Sequence, residues 1–304
     1  MDQPARGRRM AQPPLNLPPD DRSGSGTPAL PFFPAALAGN QLAGPLVVVV
    51  DTPIDFCRWL NEAPPEVQWL QVEGLLGEPE IWAAAARQAS AVALDVVVSQ
   101  PGSEFSSLYR LADVRNVRDV RVTFPMVPGF SKALRLAAAL QLPVRLLPGQ
   151  PDDALVEELL GAVDFYLHDP SVEVPVEFFH SFLASQSGVP GSDLWMILEQ
   201  DPDEYRRHDQ QGALIYPEGA LPSPAPSGFV TRFEQTLADQ GAECSGCRWQ
   251  SFCRGYFKMP DPDYACAGII RVFDALAKAA GEMATDLAAW QPPPQEASQS
   301  PAIP

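Results

Sequence analysis

Four of the five cysteines in this 304-residue chain lie in one short segment near its C-terminal end. The spacing is C-x2-C, followed by five and then twelve intervening residues, and the residues are Cys244, Cys247, Cys253 and Cys266. Four thiolates brought together by turns form a complete ligand set for one metal ion or one iron–sulfur cluster. Spacing alone does not separate zinc from iron–sulfur, so both remain open on this pattern.

The other residues that could bind a metal or take part in catalysis are scattered along the chain. Cys57 stands alone between Phe56 and Trp59, and we expect it to be a small buried hydrophobic residue outside the metal site. The three histidines are His168, His180 and His208. The sequence predicts that His168 follows a strand and serves a turn. No spacing points to a nucleophile paired with a base, so we predict no catalytic residue.

The elements that must position the cysteines follow a strand–helix rhythm. Apolar strand-like runs recur roughly every 25 residues with helical patterns between them, which predicts parallel strands joined by right-handed crossovers. The predicted strands are 45–50, 67–72, 93–98, 117–124, 143–147 and 163–167. Eight such units would close a standard barrel, so six predict an α/β fold with either an incomplete (βα)6 barrel-like parallel sheet or an open doubly wound sheet, and we favour the first. Two helices, 176–185 and 193–208, are expected before the cysteine segment.

Composition excludes several classes of function. The formal net charge is −17, which argues against a nucleic-acid surface, because such surfaces need basic patches. No apolar run reaches the ~18 residues that span a bilayer, so no membrane partner is expected. The N-terminal arginines precede no apolar stretch of the secretory type, and clustered cysteines are typical of metal sites in a reducing compartment. We therefore expect a cytoplasmic protein.

The strand–helix repeat followed by the cysteine segment resembles the radical S-adenosylmethionine (SAM) family with a SPASM or twitch extension. The extension carries auxiliary 4Fe–4S clusters in that family, and this chain matches the ligand set of one. The resemblance implies that Cys244, Cys247, Cys253 and Cys266 hold one 4Fe–4S cluster, with zinc as the alternative. A further family cysteine, four residues after the third, is replaced here by Phe257.

The N-terminal half departs from the family pattern. The family places C-x3-C-x2-C after its first strand to hold the cluster that cleaves SAM, whereas the corresponding loop here contains only Cys57, with Asn61 four residues later. The family's G-G-E-P motif has a partial counterpart in Gly77-Glu78-Pro79, with Leu76 in place of the first glycine. The chain therefore resembles a degenerate member that lacks the motif for SAM cleavage.

Composition without apolar periodicity predicts disordered tails over residues 1–44 and 291–304. The resemblance implies the domains between them, a radical-SAM-like partial barrel over 45–210 and a SPASM/twitch-like cluster domain over 211–290. The implied function is that of a companion that presents substrate or transfers electrons to an active peptide- or protein-modifying radical SAM enzyme. Its partner would be a peptide or protein. The alternative is a zinc-stabilised binding or scaffold protein without a redox role.

Overall fold

The structure is a computed structural model that describes residues 29–41, 43–88, 92–187, 192–217 and 228–289. In this part of the chain, nine strands form one sheet with the spatial order β7-β6-β5-β4-β3-β2-β1-β8-β9. The strands are β1 Leu30–Pro34, β2 Leu46–Val50, β3 Val67–Glu73, β4 Ala93–Val97, β5 Val120–Pro125, β6 Val144–Leu147, β7 Val176–Glu177, β8 Tyr205–His208 and β9 Leu214–Ile215.

Helices connect and cover the strands. They are α1 Ala35–Ala38, α2 Pro53–Glu62, α3 Pro79–Arg87, α4 Pro101–Glu104, α5 Phe130–Ala139, α6 Asp153–His168, α7 Phe179–Gln186, α8 Leu194–Ile197, α9 Phe229–Asp239, α10 Gln250–Cys253 and α11 Ala267–Ala289. Short 3-10 turns cover Phe105–Leu111, Val114–Asn116, Glu243–Gly246 and Tyr256–Lys258.

The α/β fold class predicted from the sequence is confirmed. All strand pairs are parallel except β8–β9, which is antiparallel. The apolar run of β2 is buried on both faces, as expected of a strand inside a covered parallel sheet. The predicted strands beginning near residues 45, 67, 93, 117 and 143 correspond to β2, β3, β4, β5 and β6.

The predicted N-terminal tail of residues 1–44 is too long. Residues Leu30–Pro34 form β1, which lies inside the sheet between β2 and β8, and Phe32 is only 1% exposed. The sequence did not predict this strand because it contains Pro31 and Pro34, and proline has no N–H to donate to the hydrogen bonds of a sheet. Residues 1–28, and the predicted tail of 291–304, lie outside the described residues.

Two other predicted elements are wrong. The run 163–167 belongs to the long helix α6, whose N-terminal Asp152 side chain accepts a hydrogen bond from the Leu155 amide at 2.9 Å. A short apolar run fits a buried helix face as well as a strand, so periodicity could not separate the two. The helix predicted over 193–208 is only the single turn of α8, and its end is strand β8.

The cysteine segment is attached to the main body through α11. This helix packs against α6 and α7 and carries the buried residues Ile269, Val272, Phe273 and Leu276 on one face. Among the described residues, no helix combines the length and apolarity needed to cross a bilayer.

Candidate functional site

The four clustered cysteines come from three local structures. Cys244 lies in the 3-10 turn Glu243–Gly246, and the Cys247 amide donates to the Cys244 carbonyl oxygen at 3.1 Å. Cys253 is the last residue of α10, and Cys266 directly precedes α11, where its carbonyl accepts from the Ile270 amide at 2.9 Å. Turns and helix ends therefore present the thiols.

The structure brings all four cysteines to the wall of one cavity of about 190 Å³. The remaining wall is mostly apolar and includes Trp249, Phe257, Ile269, Ile270 and Phe273. Cys266 is buried and the other three are half-buried. A hydrophobic wall of this kind excludes water and tunes the properties of a bound metal centre.

The surroundings disfavour free thiolates. Burial raises the pKa of the Cys253 thiol to about 12, and the nearby Cys244 and Cys247 add to the effect. Burial likewise raises the pKa of Cys266 to about 12, although Lys258 opposes the shift, and it raises the pKa of Cys244. Thiols that are shielded from water and repel one another as anions become thiolates readily only when a cation joins them.

A tight turn after Cys253 fixes the position of its thiol. Arg254 and Gly255 both adopt left-handed backbone conformations, with φ of 47° and 73°. A Cβ atom on Gly255 would lie 2.6 Å from Leu237 Cδ1, so a larger residue would have to displace the Leu237 side chain and would also strain the backbone. The Arg254 guanidinium pairs with Glu234 of α9 and with Asp193, at 2.6 and 2.9 Å. The main body thus holds the turn from outside the cavity.

The donor set fits a metal centre in its chemistry, but the described residues form no group of three or more Cys, His, Asp or Glu side chains placed to hold one metal ion. The two observations differ in what they measure. Lining a common cavity requires only that the thiols face the same space, whereas holding one ion requires them to converge at ~2.3 Å from it. The four-thiolate donor set suits zinc or an iron–sulfur cluster alike.

The remaining predicted residues lie apart from this cavity. Cys57 is half-buried on α2 and packs against the core. His168 is the last residue of α6 and contacts Asp164 at 3.0 Å, so the prediction that it follows a strand is wrong. His180 contacts Tyr166, and His208 stacks on Phe33 with ring centroids 4.2 Å apart.

Sequence reasoning missed a buried ionic network on the sheet. Arg121 of β5 and Arg145 of β6 both pair with Asp95 of β4, at 2.9 and 2.7 Å. Both also pair with Glu199, which follows α8. Burial opposes ionisation of Asp95, but the two guanidinium groups outweigh it and lower the pKa of this carboxyl group. Charged residues inside otherwise apolar strands were the signal available in the sequence.

This network attaches the segment after α8 to the sheet, beside a second cavity of about 390 Å³. Pro125 and Leu147, the last residues of β5 and β6, line it together with Glu199 and Arg207. Tyr256 of the cysteine segment also lines it and donates to the Gln200 side chain at 2.8 Å. The residues on either side of Tyr256 in sequence, Gly255 and Phe257, line the cysteine cavity. The segment around Tyr256 therefore forms a wall between the two cavities.

The fold resembles that of solved enzymes. A structure of the anaerobic sulfatase-maturating enzyme anSMEcpe, with bound AdoMet and a Cp18Cys peptide, matches with a TM-score of 0.53 and 11% identity over 84% of this chain and 90% of that one. A tagged form of anSMEcpe with bound AdoMet matches with a TM-score of 0.52 and 12% identity over 84% and 87%. No protein-family model and no curated protein matches the sequence.

These neighbours are radical SAM/SPASM enzymes, so the predicted resemblance is confirmed for the fold. The identities of 11% and 12% establish the fold alone. The SPASM-like character of the C-terminal segment and its metal ligands remain predictions.

Proposed function

We propose that this chain is a companion protein of an active peptide- or protein-modifying radical SAM enzyme, and that it holds one 4Fe–4S cluster. The observation that carries the proposal is the set of four cysteine side chains around one cavity, in a chain whose fold resembles that of anSMEcpe. Cys244, Cys247, Cys253 and Cys266 would hold the cluster. The cluster would supply an electron-transfer centre and link the segment that contains its ligands.

The chain would not cleave SAM by itself. In the family it resembles, that reaction needs a cluster with three protein thiolates and one open iron. Cys57 is the one cysteine near the start of the sheet, and the residue four positions later, Asn61, donates to its carbonyl oxygen at 2.6 Å as part of α2. The four other cysteines would saturate their own cluster. This distribution supports a companion rather than an independent enzyme.

The cavity lined by Pro125, Leu147 and Arg207 supports a role in presenting a peptide. It opens at the carboxyl ends of β5 and β6, the end of a parallel sheet where ligands generally bind. Tyrosine and proline side chains contribute nearly half of the lining residues around the half-buried Arg207, a mixture that suits an extended peptide with a polar group. A peptide bound there would lie one segment away from the cysteine cavity, on the other side of Tyr256.

Metal analysis and a visible spectrum of anaerobically purified full-length protein test the proposal. Iron with broad visible absorption supports it. Zinc without colour would instead favour the zinc-stabilised binding protein, since the zinc d shell is full. Protein that binds neither metal, even after reconstitution with iron and sulfide, would refute the cluster.

The matched variants are Cys266→Ala and Cys57→Ala. The first should strip iron and the absorption band, because it removes one of four ligands. The second should leave both unchanged, because Cys57 lies on α2, outside the cysteine cavity. The opposite pattern would refute the assignment of the ligands.

A further inference from the structure

A third cavity, of about 400 Å³, lies at the opposite end of the sheet from the proposed peptide site. Its wall includes residues at or just before the starts of four neighbouring strands: Ala93 of β4, Val120 of β5, Pro143 before β6 and Val174 before β7. The sheet therefore has a second opening, at its amino end, that the proposed function does not use.

Three residues that line this cavity carry buried hydrogen-bond donors without an acceptor in the described part of the chain. The donors are Nε1 of Trp69, Nε and Nη1 of Arg118, and Nε of Arg121. Native proteins leave few buried polar groups unpaired, and each such group costs about 1–3 kcal/mol. Four such donors on residues that line one cavity indicate that an acceptor other than the described residues completes the site.

Of these three residues, Arg118 has the weakest interactions to offset the burial of its polar side chain. The residue is only 8% exposed, and its Nη2 donates to the backbone carbonyls of Ala85, at 3.1 Å, and Gln88. No carboxylate forms an ion pair with it among the residues that the structure describes. Burial accordingly lowers the pKa of the Arg118 guanidinium, with no opposing attraction from an acid.

The balance of charge around the cavity is positive. Its wall contains Arg115, Arg118 and Arg121 against Asp95 and Asp119. Asp95 is already neutralised by Arg121 and Arg145, and Asp119 is exposed to solvent. The remaining buried charge is the Arg118 guanidinium, and guanidinium and indole N–H groups can only donate. The cavity is therefore suited to an anion and not to a metal cation.

We propose that this cavity binds a small oxyanion, either a phosphate group or a carboxylate, with Arg118 and Trp69 as the main ligands. On binding, these side chains turn their unpaired N–H groups to the anion oxygens. Arg121 contributes from the side, with its guanidinium carbon 5.2 Å from the centre of the Trp69 ring. The proposal goes beyond the companion function and does not depend on a metal centre, because none of the clustered cysteines lines this cavity.

Isothermal titration calorimetry of the full-length protein tests it, in a buffer that contains no phosphate or carboxylate and at constant ionic strength. Inorganic phosphate and acetate are titrated separately, and the anion that saturates the site identifies the ligand chemistry. We expect saturable binding of at least one of them. Absence of saturation with both anions would overturn the proposal.

Two substitutions test whether the anion binds in this cavity. Trp69→Phe keeps a six-membered aromatic ring but removes the indole N–H together with the five-membered ring, and Arg118→Gln removes the charge; each should weaken binding about tenfold or more. Arg87→Gln is the matched control. Arg87 is exposed and directly precedes Gln88, a hydrogen-bond partner of Arg118, but it does not line the cavity. Equal affinity in Trp69→Phe and the wild type would place the anion elsewhere, even if Arg118→Gln fails to fold.

Discussion

The Nζ atom of Lys258 lies 2.8 Å from Oε1 of Glu243, and the same carboxylate oxygen accepts a hydrogen bond from the Cys266 amide at 3.0 Å. Glu243 directly precedes Cys244, so one side chain connects the first cysteine turn, the turn at Lys258 and the start of α11. Lys258 is 4% exposed, which makes its ion pair less accessible to solvent than a surface pair. The pair therefore holds three of the segments that surround the cysteine cavity.

Replacing Glu243 by alanine should destabilise the cysteine segment. Among the described residues, the change leaves the buried Lys258 ammonium with the Tyr264 carbonyl as its one hydrogen-bond partner, and it removes the acceptor of the Cys266 amide. The expected loss is about 1–3 kcal/mol in the free energy of unfolding, measured by chemical denaturation, together with lower metal content. Glu282→Ala is the control, since its exposed pair with Lys278 spans 3.7 Å and should change stability by less than about 0.5 kcal/mol.

Phe32→Ala should destabilise the whole sheet. Phe32 lies on the inner strand β1, contacts Trp69 and Tyr205 edge-on, and is almost fully buried. Removing a buried aromatic ring costs about 3–5 kcal/mol, which should appear as a large fall in the denaturation midpoint. Phe33→Ala should cost clearly less, because Phe33 is half-buried and stacks on His208. Equal losses of stability in the two variants would show that Phe32 of β1 is not buried inside the sheet.

Asp201 should make stability depend on pH. Burial raises the pKa of this carboxyl group from 3.8 to about 6, and repulsion from Asp203, Asp193 and Glu204 adds to the effect. Between these two values the folded state binds more protons than the unfolded state, so stability falls as pH rises from about 4 to about 6. The penalty then stays constant at higher pH, with an upper limit of about 3 kcal/mol.

Asp201→Asn removes this penalty while keeping the oxygen that accepts from the Asp203 amide at 2.9 Å. The variant should be more stable than the wild type at pH 7, and the difference should shrink towards pH 4. Chemical denaturation of both proteins across this range provides the measurement. A difference that is constant with pH would show that Asp201 ionises normally.

The isolated chain should form no 5′-deoxyadenosine from SAM and a strong reductant. The reason is the single cysteine near the start of the sheet, which cannot hold a cluster with an open iron. Chromatographic detection of the product provides the test. Formation above background that disappears in Cys57→Ala would restore a catalytic role to the chain and refute the companion function.

The sequence by itself determined the parallel α/β fold and grouped the four cysteines, because both are local patterns. Apolar runs such as Leu46–Val50 predict buried strands wherever they pack, and C-x2-C brings two thiols together through a single turn. The sequence did not predict β1 or the helical state of 163–167, because partners distant in the chain decide both. Phe32 is buried by strands that lie on either side of it in space, one of which comes more than 170 residues later.

Only the tertiary structure decided which polar residues meet. Asp95, Arg121, Arg145 and Glu199 are separated by up to 104 residues, and parallel register together with the return of the chain after α8 brings them into one network. The unpaired donors of Trp69 and Arg118 are likewise a property of packing, since a sequence shows which groups can donate but not which acceptors are absent. Spacing along the chain can predict ligands that share a turn, whereas sites assembled from separate strands depend on the register of the sheet.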